Sequence, residues 1–115
     1  MFHANQLFRK ILALVLDFFW YKGYSYLLMP TQITKINNTY YIVDCKHNQI
    51  IYSDSLSREL RCWNVMTRNV KEPHALCSDG DIYMVADTEN NRVLTFTKGY
   101  DSFKLQQTFE NVGVR

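Results

Sequence analysis

The densest group of side chains able to do chemistry is Asp87, Asn90, Asn91 and Arg92: a carboxylate, two amides and a guanidinium in one short stretch. Together they could hold a polar ligand. The same residue types also bond backbone groups in tight loops, and Asp44 and Asn48 recur in a matching stretch upstream. A residue needed in every copy of a repeat is needed by the repeat, so Asp44 and Asp87 read as structural. His47, Asn48, His74, Asn90, Asn91 and Arg92 remain as candidate ligand contacts on a loop face. Cys45-x-His47 and His74-x-x-Cys77 carry four potential zinc ligands, but the spacings match no standard knuckle, and no metal or cofactor is assigned. A histidine at position 74 could move a proton. No carboxylate or nucleophile is placed beside it in sequence, so no catalytic residue is assigned. The chain contains no G-x-S-x-G and no Walker loop. Asn37-Asn38-Thr39 forms a glycosylation sequon, relevant only in a eukaryotic secretory route.

The elements that must position these residues come in two copies. Setting Pro30 against Pro73, an offset of 43, places Tyr40 on Tyr83, Asp44 on Asp87 and Asn48 on Asn91 without a gap. Apolar positions follow: Ile33 meets Leu76, Ile42 meets Val85, Ile50 meets Val93 and Ile51 meets Leu94. Each copy predicts four strands. The first is about Thr31–Lys35, matched by His74–Ser78. After turns at Asn37-Asn38 and Asp79-Gly80, dipeptides that favour positive φ in a tight hairpin, come Tyr40–Val43 and Ile82–Ala86. A polar loop leads to Gln49–Ser53 and Arg92–Thr97. A looser fourth strand is expected at Cys62–Met66 and Lys104–Phe109. The predicted fold is all-β: two four-stranded antiparallel units of β-propeller blade type, residues 30–72 and 73–115, preceded by an N-terminal apolar helix.

The stretch Ile82-Tyr83-Met84-Val85-Ala86-Asp87-Thr88-Glu89-Asn90-Asn91-Arg92-Val93 resembles the NHL repeat, whose pattern runs through aromatic-Val-Ala-Asp, then Thr, two Asn, Arg and an aliphatic residue. The first copy resembles it less closely: Asp44 and Asn48 match, while Cys45, His47 and Gln49 depart. The resemblance implies a β-propeller. It does not choose an activity, because NHL-like propellers include binding platforms for RNA and protein, lactone hydrolases, lyases and bacterial surface proteins.

Residues 1-29 form a hydrophobic segment. Arg9-Lys10 closes a short positive region, and Ile11 to Tyr21 is apolar apart from Asp17. This is the outline of a signal-anchor or membrane-proximal helix, with membrane contact through residues 7-29 and an extracytoplasmic, membrane-anchored or secreted location. Asp17, and Lys22-Gly23 cutting the run before it reaches bilayer length, weigh toward a helix or strand packed on the body instead.

A net charge of +2 over 115 residues gives no basic surface for nucleic acid. Three cysteines, Cys45, Cys62 and Cys77, are an odd and widely spaced set, hence no disulfide framework. One bridge or three unpaired thiols remain open, with three thiols favoured. A propeller has four to eight blades. Two blades therefore point to a piece of a longer propeller, to a homo-oligomer such as a trimer completing a ring, or to a small two-sheet domain covered by the N-terminal segment. The next repeat boundary falls just past Arg115, which favours the first. The leading functional expectation is a non-enzymatic binding or scaffold module with a protein or carbohydrate ligand. The alternative is a fragment of a six-bladed lactonase or lyase whose site needs further blades.

Overall fold

The structure, a computed structural model, describes residues 26–111. The expected N-terminal helix lies outside these residues except for Tyr26 to Met29, which run as bends into the first strand. The strands are β1 (Pro30–Ile36), β2 (Thr39–Asp44), β3 (Gln49–Ser53), β4 (Asn64–Thr67), β5 (Ala75–Ser78), β6 (Ile82–Asp87), β7 (Arg92–Lys98) and β8 (Phe103–Glu110). They form two antiparallel four-stranded sheets, in the orders β1-β2-β3-β4 and β5-β6-β7-β8. The described chain is all-β, with three short 3-10 turns as its only helical turns.

Side chains alternate across a strand, and the two sheets use this differently. In the first sheet both faces are buried. Tyr41, Val43 and Ile50 pack toward the second sheet, in one cluster with Leu76, Tyr83, Val85, Leu94 and Phe96. Ile33, Ile42 and Ile51 face the other way and pack with Leu27, Leu60 and Trp63. This double burial explains the unbroken apolar runs in β2 and β3. In β6 only one face is buried: Tyr83 and Val85 lie inside while Ile82 and Met84 are exposed. Each such fully buried aliphatic or aromatic side chain contributes about 1.5–3 kcal/mol. The repeat alone implied that the outer apolar faces of both units lack neighbours. The structure corrects this for the first sheet, because the β3–β4 connection folds Leu60 and Trp63 back over it.

The two first hairpins differ. Asn37 and Asn38 both hold positive φ, 49° and 62°, and join β1 to β2 as a two-residue turn. In the second hairpin only Gly80 is left-handed, at φ 104°, and the connection is longer, with Ser78 pairing Tyr83. Asp79 sets that geometry. Its carboxylate accepts the amides of Asp81 and Ile82, both at 2.9 Å, which closes an Asx-type turn. Of the fourth strands, β8 falls within one residue of expectation at each end, while β4 departs from it. Leu60–Cys62 is a 3-10 turn, and β4 begins at Asn64. Trp63 is buried with its indole N–H donating to the Arg58 carbonyl at 2.9 Å, which anchors that turn and delays the strand. β5 likewise begins at Ala75, one position after the expected His74.

The sheets meet through contacts between positions 43 or 44 apart. Gln32 clasps β5: its Nε2 donates to the Leu76 carbonyl and its Oε1 accepts the Leu76 amide, each at 2.7 Å. Thr31 Oγ1 donates to the His74 carbonyl at 3.0 Å, and Asn37 Nδ2 donates to the Gly80 carbonyl at 2.9 Å. Lys46 pairs with Glu72 at 3.0 Å.

Candidate functional site

Asp44 and Asp87 end the second strands of their sheets, and both are fully buried. Their environments repeat position by position. Oδ1 of Asp44 accepts the Leu28 amide at 2.8 Å, and Oδ1 of Asp87 accepts the Lys71 amide at 2.6 Å. Those same connector residues accept at their carbonyls from the amides of Lys46 and Glu89, both at 3.1 Å. Oδ2 of Asp87 takes Asn90 Nδ2 at 2.9 Å and Arg92 Nε at 2.6 Å. Oδ2 of Asp44 takes His47 at 2.8 Å and Gln49 Nε2 at 3.2 Å. Burial without such donors would be costly. Each aspartate therefore pins the incoming connector, the 3-10 turn and the third strand to one point.

The candidate ligand contacts fall into place around these aspartates. His47 Nδ1, Asn90 Nδ2 and Arg92 Nε bond them, and Arg92 Nη2 also reaches the Asn69 carbonyl at 3.1 Å, tying the inter-sheet connector. Asn48 and Asn91 cap the 3-10 turns in left-handed conformation, φ 55° and 53°, which asparagine tolerates. Asn48 Oδ1 also accepts the Glu72 amide at 2.9 Å. His74 stands apart, with an exposed side chain and a backbone N–H donating to Ala86. His47 lies in the 3-10 turn between β2 and β3, and His74 just before β5. Among the described residues no three His, Cys, Asp or Glu side chains gather as a metal group. All three cysteines are free thiols. Cys45 is buried, and that burial, then the Glu72 charge, pushes its thiol pKa up.

The concave polar surface lies at the opposite strand ends. A cleft of about 380 Å³ opens between the sheets, lined on one side by Thr39, Tyr52, Asp54, Arg58 and Asn64. Lys98, Tyr100 and Asp101, from the end of β7 and the connection after it, line the other. Lys98 Nζ lies 3.4 Å from Thr39 Oγ1 and 5.4 Å from the centre of the Tyr52 ring. Tyr52 is fixed by stacking on Tyr41 at 5.7 Å and by the edge of Phe103 at 5.2 Å. Partial burial, then the Asp101 charge, raises the Tyr52 phenol above its ordinary pKa, so the phenol is a neutral donor. The Arg58–Asp54 pair, at 3.2 Å, is exposed and contributes little to stability. Both groups stay open to solvent and to a ligand. The cleft offers charges of both signs, amide and hydroxyl groups and ring faces, without a nucleophile held by a base. None of the candidates taken from the loops lines it. The cleft residues lie on hairpin ends and on the connections after the third strands, which carry no motif. Their only sequence signal is position: Asp54 directly follows the third strand of the first sheet, and Lys98 ends the third strand of the second.

The chain matches no protein-family model and no curated protein.

Proposed function

We propose that the chain is a non-enzymatic binding module whose two sheets are blades of NHL-like β-propeller type. The observation that carries this is the seam itself. Thr31, Gln32 and Asn37 bond to positions 43 or 44 residues further on. Contacts between like positions are those of units added head to tail, as blades are. Two further facts support binding over catalysis. Asp87, Asn90 and Arg92 bond one another and the connector within the second unit, and the inter-sheet cleft has binding groups without a catalytic pair.

The ligand class that best fits the cleft is carbohydrate. Carboxylate, amide and guanidinium groups bond sugar hydroxyls, while the rings of Tyr52 and Tyr100 offer faces to sugar C–H groups. Neutral and acidic oligosaccharides titrated into labelled protein test this by amide chemical shifts. Saturable shifts at Lys98, Tyr100 and Asp101, lost in Asp101→Ala, are the expected result. Absence of saturation up to millimolar sugar, or hydrolysis of an added lactone, would overturn it. Display outside a membrane through residues 7-29 is part of the same proposal. Protease accessibility of a C-terminal tag on intact cells tests that part, and full protection of the tag would refute it.

A further inference from the structure

Among the described residues, the outer face of the second sheet is a surface without a packing partner. The strand registers define its central rungs. One runs Ala75, Ala86, Val93, Phe109. The next runs Cys77, Met84, Thr95, Gln107. Neither contains a charge, although 21% of the chain is charged. Met84 and Phe109 are each 41% exposed and Ile82 is 39% exposed. A shallow groove of about 310 Å³ opens beside Cys77, Ile82 and Met84.

The corresponding face of the first sheet shows what such a surface is for. Tyr41 and Val43, which occupy the positions of Met84 and Ala86 one repeat earlier, are fully buried under the second sheet. The outer face of the second sheet therefore continues an established mode of packing. The clasp of the first seam is not repeated there, however. The clasp at that seam is Gln32, bonded to both backbone groups of Leu76, and its counterpart is Ala75, which can make neither bond. The head-to-tail partner surface on another copy would be the face bearing Ile33, Ile42 and Ile51. That face is already buried, with Ile42 and Ile51 at 0% exposure. Among the described residues, the matching apolar surface a second copy presents is the same face of its own second sheet.

We infer that two copies of this chain pair about a two-fold axis through the outer faces of their second sheets. Sheets pack face to face about 10 Å apart with strands within about 30°, and a two-fold contact uses one patch twice. Four strands about 4.8 Å apart, over the six residues of β6, present roughly 400 Å² per protomer. The pair lies at the small end of specific interfaces and forms weakly, dissociating on dilution. Lys104, at the corner where β8 pairs with Thr97, stays at the solvated rim.

Thiol labelling of the full chain across a concentration series tests this, because an internal reference is built in. Cys62 and Cys77 are both exposed in the single chain, and Cys62 lies in the β3–β4 connection of the other sheet. With a maleimide probe, Cys77 is expected to label several-fold more slowly at high protein concentration than at low, with Cys62 unchanged. Sedimentation should show a monomer–dimer equilibrium over the same range. Met84→Glu and Phe109→Glu, at exposed positions outside the core, should each weaken the dimer about tenfold or more, since each buries a charge in the contact, and should restore fast Cys77 labelling. Equal labelling of both thiols at every concentration, or protection of Cys77 that does not depend on concentration, would overturn the pairing. So would a trimer, or a dimer insensitive to Met84→Glu.

Discussion

At the level of single residues, the molecule spends its most reactive-looking groups on its own backbone. Asp87 holds an amide, an amide side chain and a guanidinium with one buried carboxylate. Asp87→Ala leaves these donors without an acceptor and should cost about 2–4 kcal/mol in chemical denaturation, with Asp44→Ala changing stability in the same direction. Tyr41 is the converse case. It is fully buried, and its hydroxyl has no hydrogen-bond partner among the described residues. Burial, then the neighbouring Tyr83 phenol, raises its pKa far above the ordinary 10. The unfolded chain releases that proton near pH 10 while the folded chain keeps it, so the stability linked to the neutral phenol is complete below pH 10 and is lost as pH rises above it. Tyr41→Phe should therefore stabilise the fold by about 1 kcal/mol at neutral pH and make its alkaline unfolding less steep, as read by circular dichroism across a pH series.

At the level of elements, the turns carry the most local information. Asn38 sits at φ 62°. Asn38→Ala should cost about 1 kcal/mol and Asn38→Gly should cost nothing measurable, because glycine alone enters that region without a Cβ penalty. The second hairpin depends on a side chain. Two backbone amides, Ile82 first and then Asp81, hold the Asp79 carboxyl below its ordinary pKa. The Asx turn is then formed above the ordinary aspartate range and is lost as pH falls through the lowered value. Its carboxyl resonance should titrate below the ordinary aspartate value, and Asp79→Ala should loosen the amides of Asp81 and Ile82 at all pH values. The first three strands of each sheet were legible because dipeptide turns and apolar alternation are local signals. The start of β4 was not, because it depends on where Trp63 finds its core and its indole acceptor.

For the whole molecule, stability rests on the seam between the sheets. Gln32 is the clasp to test. Gln32→Ala leaves both backbone groups of Leu76 without that partner and should cost about 1–3 kcal/mol. Hydrogen exchange at the Leu76 amide should rise more than at the Val85 amide inside the second sheet.

The sequence by itself determined the repeat, its 43-residue step and the all-β class of the described residues. Each of these follows from residue type at a fixed spacing, and local backbone preferences read spacing directly. Only the tertiary structure decided that, among the described residues, the first sheet is covered on both faces and the second on one. It also decided that the polar cleft lies at the strand ends opposite the Asp-Asn-Asn-Arg turn. The reason is distance along the chain. Leu60 and Trp63 cover Ile42 and Ile51, and Lys98 reaches Thr39 from 59 residues away. Packing between segments so far apart is set by the summed fit of two surfaces, which no local pattern records.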